Sequence, residues 1–324
     1  MGYIKWAYDQ TISPEVGNKA ARLGELKKIG IKTPEGFTLT KTAFMDFIVA
    51  NGIYTRLNEL LLPSQPEGIK ESSRRISELF VATKIPIAIM NAITSACSTL
   101  LVKENTTFAV RSSSVIEDLA GASFAGLYDT FLNVPPGDKL IEGVKKCWQS
   151  AFSLRALAYL RELGINIQTP QDMSMGVIIQ QMINARFAGV MFTVNPATGD
   201  ASKILIEYSA GSGESVVSGE ITPHSILIDK ITNQGSGIGE QGSANLLEGR
   251  YIYQLSSISK IIENHFGCYQ DIEWAIDSDS AEIIILQARS ETVWNRRHQV
   301  PFHKPEQTVF SFMPEIRVCH KINV

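Results

Sequence analysis

Paired polar residues occur in two short apolar runs toward the end of the sequence. One run begins with Asp271-Ile272-Glu273, and the next ends with Gln287-Ala288-Arg289. On a β-strand, side chains at positions i and i+2 point to the same face, so the two carboxylates repel each other unless a cation lies near them. If the runs form a hairpin, the polar side chains converge and offer oxygen ligands for Mg²⁺ beside a phosphate-binding guanidinium. The alternative is a surface salt bridge between the strands, which contributes little to stability.

A second candidate is an arginine at the end of an apolar run. Arg111 follows residues 108–110, and three serines and the acidic pair Glu117 and Asp118 come after it. A planar guanidinium beside hydroxyl and backbone N–H groups suits a phosphate. The small residues of 121–126 would let backbone amides approach a polyphosphate closely. The residues alone favour a simpler alternative, in which Arg111 is structural and pairs with Glu117 or Asp118 beside a flexible loop.

Two further candidates are a lysine and an apolar strand. Lys19 follows Gly17-Asn18 at the start of a predicted helix, where its ammonium would add to the positive end of the helix dipole. A solvated lysine is the alternative, and the Walker spacing is absent from the sequence. The run 177–183 could border an adenine ring through backbone hydrogen bonds and apolar side chains. A plain buried strand has the same pattern.

The surrounding pattern predicts an α+β fold with two lobes. Helical spacing predicts helices over 15–29, 41–52, 71–101 with a break at Pro86, and 138–161. Short strands are predicted at 36–40, 108–111, 130–134, 176–180, 189–194, 204–208, 225–229, 271–276 and 282–287. A helical first part followed by a strand-rich second part does not fit an alternating doubly wound sheet. A cleft between the lobes is the expected ligand site.

Composition excludes several classes of protein. The 324 residues are 44% hydrophobic with a net charge of −3, so the chain can bury a core and shows no charge signature of nucleic-acid or membrane binding. Residues 1–9 contain no apolar core long enough for a signal peptide, and no later run approaches the roughly 18 to 20 apolar residues that a membrane span needs. A cytoplasmic location is therefore expected. The widely spaced Cys97, Cys147, Cys268 and Cys319 are expected to be reduced and structural.

The order of the motifs is more specific than any one of them. They are, in sequence order, Gly-x-Lys, Val-Arg-Ser-Ser, Glu-Asp, Ser-Phe-Ala-Gly, Thr-Phe-Leu-Asn-Val, the Gln-x-Met strand, Gly-Val-Met-Phe-Thr-x-Asn-Pro, Gly-x-Gly-Glu-x-Val-Val-Ser-Gly, Asp-Ile-Glu-Trp-Ala and Leu-Gln-Ala-Arg. As an ordered set over about residues 13–293, they resemble the nucleotide-binding domain of the phosphoenolpyruvate synthase and pyruvate phosphate dikinase family. The resemblance implies a two-lobed ATP-grasp-like fold, with an N-terminal lobe over 1–183, a C-terminal lobe over 184–295 and an irregular tail over 296–324.

The resemblance also implies a role for each matching position. Lys19 and Arg111 would hold ATP phosphates, with Arg289 on the γ- or β-phosphate. Glu273 and Gln287 would coordinate Mg²⁺, with Asp271 close by. The remaining nucleotide-binding positions would line the phosphate end (Gly126, Thr130), border the adenine (Gln180, Met182, Ile183) or close around the nucleotide (Thr193, Gly211, Gly213, Glu214).

The sequence departs from the family pattern in a few places. Asn18 stands where the family has a second glycine, Ser114 replaces an alanine, and Ser290 replaces a proline. None of these changes removes a charged group, so nucleotide binding is still expected. The larger departure concerns the family's phosphohistidine domain. His224 lies in Thr-Pro-His-Ser, within the stretch that resembles the nucleotide-binding domain, and the resemblance places no histidine of this sequence in a phosphohistidine domain.

The resemblance therefore implies an ATP-binding subunit of a split dikinase-type phosphotransferase, similar to phenylphosphate synthase. Such a subunit would use Mg-ATP to phosphorylate a histidine on a partner subunit, giving AMP and phosphate. The phosphoryl group would then pass to a small molecule such as a phenol. Two alternatives are a nucleotide-binding fragment of a phosphoenolpyruvate synthase or antibiotic phosphotransferase, and a non-catalytic ATP-sensing subunit.

Overall fold

The computed structural model describes residues 2–7, 13–61, 66–101, 106–116, 127–165, 167–211, 223–238 and 247–298. The helices are α1 (Ser13–Val16), α2 (Asn18–Lys28), α3 (Lys41–Ala50), α4 (Tyr54–Leu61), α5 (Pro66–Ala82), α6 (Ile87–Leu100), α7 (Asp138–Ser150), α8 (Leu154–Glu162), α9 (Gly249–Phe266) and α10 (Val293–Arg297). The strands are β1 (Ile4–Trp6), β2 (Gly36–Leu39), β3 (Phe108–Ser113), β4 (Thr130–Val134), β5 (Gly176–Gln181), β6 (Ala185–Phe192), β7 (Lys203–Ala210), β8 (His224–Asp229), β9 (Gly235–Ile238), β10 (Gln270–Asp277) and β11 (Ile283–Ser290).

The strands form two separate sheets. The first has five strands in the order β1-β2-β5-β3-β4, and the second has six in the order β11-β10-β6-β7-β8-β9. Every neighbouring pair is antiparallel. Residues 182–184 are the whole connection between β5 of the first sheet and β6 of the second.

The first sheet is covered on one face by helices α3 to α8. Alternate residues of β3 and β5 point into this core, among them the buried Phe108, Val110, Val177 and Ile179. Arg111 pairs with Ile178 across β3 and β5, and it belongs to the opposite set of alternating positions. The first sheet therefore has an apolar helical side and a side from which Arg111 projects.

The second sheet is covered on one face by α9 and by α2. Ile272, Trp274 and Ile285 are buried in this core together with Leu23 and Leu26 of α2. Helix α2 lies between β1 and β2 of the first sheet in the chain but packs against β11 of the second. The predicted division at 183/184 remains a prediction, and the packing of α2 crosses it.

The structure confirms the α+β class and the strands predicted after residue 175. The predicted helix over 15–29 is divided at Gly17, whose φ of +84° and close approach to Ser113 require a glycine. The predicted helix over 138–161 is also divided, and the Ser153 side chain caps α8 by accepting a hydrogen bond from the backbone N–H of Ala156. Helices α4, α9 and α10 and strands β1 and β9 were not predicted.

The buried thiols agree with the expectation of reduced, structural cysteines. Cys97, Cys147 and Cys268 are free and buried, and burial raises the pKa of Cys97 to about 12. Cys319 lies outside the described residues. Among the helices of the described ranges, none is by itself both long and apolar enough to span a membrane; residues 68–82 and 87–100 reach that hydropathy only together, across a 76° bend.

Candidate functional site

The polar residues of β10 and β11 lie opposite each other in a hairpin, the condition on which their expected convergence depended. Asp271 pairs with Arg289 and Glu273 pairs with Gln287 in the antiparallel register. Between them, Ile272 and Ala288 point to the opposite face and are buried in the second core. The hairpin therefore places the four polar side chains on the face of the sheet that α2 and α9 leave uncovered.

A β-bulge at Leu286 makes this arrangement possible. Glu273 pairs with Gln287 while the next residue, Trp274, pairs with Ile285, so β11 carries one extra residue. Ile285 points into the second core. With strict alternation along β11, Gln287 and Arg289 would point into that core as well. The bulge shifts the alternation by one residue and turns both polar side chains to the other face.

Arg111 reaches from the first sheet to this hairpin of the second. Its Nη1 donates to the carbonyl oxygen of Leu286 at 3.1 Å, so the bulged residue supplies an acceptor. Its Nη2 donates to Glu273 Oε2 at 3.0 Å and to Gln287 Oε1 at 2.7 Å. The Arg111 and Glu273 side chains are only 13% and 22% exposed. Arg111 is thus a charged link between the sheets, and its partner is Glu273.

Asp271 and Arg289 form a second ion pair beside the first. Arg289 Nε donates to Asp271 Oδ2 at 2.8 Å, and Nη2 lies 2.6 Å from the same oxygen. Burial raises the pKa of Asp271 above its ordinary value, and the positive charge of Arg289 partly opposes this shift. Asp271 is 12% exposed and Arg289 is 36% exposed, so the guanidinium is more accessible to solvent than the carboxylate.

The N-terminus of α2 is docked on the segment that follows Arg111. The backbone N–H of Asn18 donates to the Ser114 carbonyl at 3.2 Å, and the N–H of Ala20 donates to Ser113 Oγ at 3.1 Å. Lys19 Nζ donates to the Ser112 carbonyl at 3.3 Å. Lys19 is therefore brought beside Arg111. Ser112, Ser113 and Ser114 are buried and hold α2, a structural role that the sequence pattern did not reveal.

The other predicted nucleotide contacts have varied surroundings. Thr130 is exposed and pairs with Arg111 in the sheet, whereas Gln180 is buried and lines a small cavity beside α2. Met182 and Ile183 are partly exposed in the link between the sheets. Thr193 is buried, and its Oγ1 accepts a hydrogen bond from the Gln270 N–H at 2.8 Å. Gly211 directly follows β7, with a φ of +84°.

Several predicted positions fall outside the described residues. They are Gly126, Gly213 and Glu214, together with Glu117 and Asp118, the proposed structural partners of Arg111. The roles assigned to all the nucleotide-binding positions remain predictions.

Glu207 is a further carboxylate on the same face, and the sequence analysis missed it. Glu273 pairs with Val190, which pairs in turn with Glu207. Its strand neighbours Ile206 and Tyr208 are buried in the second core. A single glutamate alternating with apolar residues in a strand was the available signal.

The donor set fits Mg²⁺ in its chemistry. The ion prefers hard oxygen ligands, and Glu273, Gln287 and Asp271 offer carboxylate and amide oxygens on one face. The described residues contain no group of three or more His, Cys, Asp or Glu side chains that could hold a metal ion, so Glu273, Gln287 and Asp271 would supply only part of a coordination shell. The buried Nε of Arg111 has no acceptor among the described residues, as expected of a guanidinium that receives a ligand oxygen.

Comparisons with known proteins agree with this chemistry. The family model described as "Pyruvate phosphate dikinase, AMP/ATP-binding domain" matches residues 13–245 and 232–309. A phosphoenolpyruvate synthase of Aeropyrum pernix is 34% identical over 91% of this chain and 42% of the relative. A rifampicin phosphotransferase of Bacillus cereus is 35% identical over 86% of this chain and 34% of the relative.

The chain thus spans less than half the length of each of these curated relatives. The family match covers most of the chain, including the helix with Lys19, the strand with Arg111 and the β10–β11 hairpin. The chain belongs to the family of the pyruvate phosphate dikinase AMP/ATP-binding domain.

Proposed function

We propose that the chain binds Mg-ATP on the face that Arg111 shares with the β10–β11 hairpin, within an ATP-grasp-like fold. Lys19, Arg111 and Arg289 hold the phosphates, and Glu273 and Gln287 hold Mg²⁺ with Asp271 close by. The observation that carries the proposal is the contact of Arg111 with Glu273 and Gln287 across the two sheets. It gathers a phosphate-binding group and hard oxygen ligands in one place.

In this structure, the positive charge beside the oxygens of Glu273 and Gln287 comes from the Arg111 guanidinium. Its Nη2 lies within hydrogen-bonding distance of both Glu273 Oε2 and Gln287 Oε1. A metal ion bound to the same two oxygens would repel the guanidinium, because both are positively charged. We therefore expect Arg111 to leave them when the metal binds and to pair with phosphate instead.

Bound Mg²⁺ would offset part of the negative charge of the phosphate oxygens. The protein side chains orient the triphosphate and neutralise the rest of its charge, so that an in-line nucleophile can attack. The adenine is expected near Gln180, Met182 and Ile183, where the chain passes from one sheet to the other.

The nucleophile proposed is a histidine on a partner subunit. The histidines of the described ranges make other contacts: His265 approaches Glu25, His298 approaches Tyr269, and the His224 ring packs on Tyr208. Attack of the partner histidine on the β-phosphorus would release AMP and leave a pyrophosphoryl group on the histidine. Transfer of the terminal phosphoryl group to water would then release phosphate and leave phosphohistidine. The phosphohistidine would then pass its phosphoryl group to a small molecule such as a phenol.

A second candidate follows from the relatives. Phosphoenolpyruvate synthase and rifampicin phosphotransferase match over most of this chain but are much longer. In this alternative, the chain is the nucleotide-binding part of an enzyme of one of these types, and the histidine lies on another domain of that enzyme.

The experiment mixes the purified chain with Mg-ATP, alone and with a histidine-bearing partner encoded at the same locus, and follows AMP, ADP and phosphate. R111M is the test variant. R74M is the matched control, because Arg74 pairs with Glu71 and Glu78 on the exposed side of α5.

AMP formation only with the partner, lost in R111M and kept in R74M, is the expected result. Tight ATP binding without AMP in any mixture would instead support an ATP-sensing subunit. Formation of ADP would contradict the dikinase chemistry.

A further inference from the structure

Arg22 links helix α2 to the ends of the two strands that carry the polar site. Its Nη2 donates to Gln270 Oε1 at 2.7 Å, and its Nη1 donates to Ser290 Oγ at 3.3 Å. The guanidinium also lies over the Phe266 ring, 3.9 Å from the ring centre. One side chain thus contacts β10, β11 and the last residue of α9.

The two hydrogen-bond partners of Arg22 are next to site residues in the chain. Gln270 immediately precedes Asp271, and Ser290 immediately follows Arg289. Gln270 and Ser290 also pair with each other in the sheet. The Gln270 amide is held in place because its Nε2 donates to the Cys268 carbonyl at 2.9 Å, which leaves its Oε1 directed at Arg22.

Lys19 lies one helical turn before Arg22 on α2. Residues three apart on a helix occupy neighbouring positions of the same surface. The N-terminus of α2 is fixed to the first sheet through Asn18 and Ala20, whereas Arg22 fixes the next turn to the second sheet. The location of Lys19 between these attachments depends on both.

We propose that Arg22 is a positioning residue, which sets the location of Lys19 relative to Asp271 and Arg289. The effect on nucleotide binding rests on the proposed function, since it assumes that these three residues bind Mg-ATP. Arg22 itself acts from the core side of the hairpin, because Gln270 and Ser290 alternate with Asp271 and Arg289 along their strands.

Arg22 has a different role from the apolar residues of the same helix. Leu23 and Leu26 are buried in the second core and hold α2 by packing. The planar fork of Arg22 adds two directional hydrogen bonds to neighbouring strands, which packing does not provide. Loss of the Arg22 side chain is therefore expected to shift α2 relative to β10 and β11, with little change in the helicity of α2.

The test uses lysine labelled with ¹³C at Cε, with the Lys19 resonance assigned by its absence in K19R. R22M should shift this resonance, and R22K should restore it in part because lysine keeps the charge but not the fork. Q270M, which removes the acceptor and keeps Arg22, should shift it as well. K27M is the matched control, since Lys27 is a cation of the same helix that pairs with Glu35.

Mg-ATP affinity of the same variants gives a second measurement. R22M should weaken binding about 10-fold, as expected when a charge-assisted hydrogen bond is lost, and K27M should not. In a K19M background, R22M should have little further effect, because Arg22 acts through Lys19.

An unchanged Lys19 resonance in both folded R22M and folded Q270M would overturn the inference. Additive effects of R22M and K19M on affinity would also overturn it. If the wild-type chain does not bind Mg-ATP, the proposed function fails, while the Lys19 resonance still decides whether Arg22 positions that residue.

Discussion

The two ion pairs of the site differ in what they connect. Arg289 and Asp271 pair within one hairpin and are neighbours in its register. Arg111 and Glu273 pair across the two sheets and are separated by 162 residues in the chain. Arg111 also donates to Gln287 and to the Leu286 carbonyl. The hairpin pair needs only local strand pairing, whereas the Arg111 pair requires both sheets to be in place.

This difference assigns distinct tasks to the two arginines. Arg111 is nearly buried and already contacts the oxygens proposed to bind the metal. In the proposed function it would couple metal binding, phosphate binding and the approach of the sheets. Arg289 is more exposed, and it pairs with Asp271, whose burial disfavours the charged form of the carboxyl group. Substitutions of the two should therefore differ in their effects on nucleotide affinity, stability and metal binding.

The largest difference is expected in Mg-ATP affinity. R111M should weaken binding about 100-fold, because it removes a nearly buried charged donor and leaves its partners unpaired. R289M should weaken binding about 10-fold, because its guanidinium is more exposed to solvent. Isothermal titration calorimetry measures both, with R74M as control. Equal losses in R111M and R289M would contradict the distinction.

A second difference is expected in stability. R111M should lower the free energy of unfolding by about 2 kcal/mol, since Glu273 loses its charged partner in a nearly buried place. R289M should lower it by less than about 1 kcal/mol, as is usual for more exposed pairs. Urea unfolding at neutral pH gives both values. A smaller loss in R111M than in R289M would argue against a structural link between the sheets.

Metal binding without nucleotide should distinguish the two arginines, because only one substitution is expected to strengthen it by removing a competing guanidinium. R111M should bind Mn²⁺ about 10-fold more tightly than the wild type, because the oxygens of Glu273 and Gln287 no longer face a competing guanidinium. R289M leaves the Arg111 guanidinium beside these oxygens, so it should not gain Mn²⁺ affinity by the loss of this competitor. Electron paramagnetic resonance measures the concentration of free Mn²⁺, from which the dissociation constant follows. Weaker Mn²⁺ binding by folded R111M would show that Arg111 does not compete with the metal.

The smallest effect concerns pH. Because the pKa of Asp271 is raised in the folded state, that state binds the proton more tightly than the unfolded chain. The contribution of Asp271 to stability is therefore most favourable below its ordinary pKa and is lost as pH rises through the raised value. R289M should extend this loss to higher pH, since the arginine lowers the pKa.

Urea unfolding measured between about pH 3 and pH 8 tests this expectation, because that range extends from below to well above the ordinary pKa of an aspartate. The wild type, R289M and D271N are compared, and D271N should lack the pH-dependent component. The same pH profile in the wild type and D271N would contradict a raised pKa of Asp271.

The sequence predicted those features of the site that depend on local pattern. The β10–β11 hairpin follows from alternation in two short runs, and the α+β class follows from helical spacing before residue 175 and short strands after it. The order of motifs identified the family. Helix α4 was missed although Leu57 and Leu60 are buried at helical spacing.

Features that depend on tertiary contacts could not be predicted in this way. Leu286 is apolar like its neighbours, so nothing in its type marks a bulge. The sequence offered Glu117 or Asp118 as a structural partner for Arg111, whereas the structure gives it Glu273. The serines after Arg111 resembled ligand donors, and their buried contacts with α2 depend on the packing of that helix.

The most direct test of the account is a crystal structure of the chain with Mg²⁺ and a non-hydrolysable ATP analogue. The account predicts the metal on Glu273 and Gln287, with Arg111 moved from these oxygens to a phosphate and Lys19 beside it. A nucleotide bound away from the β10–β11 hairpin, or Arg111 still paired with Glu273 beside a bound nucleotide, would contradict it.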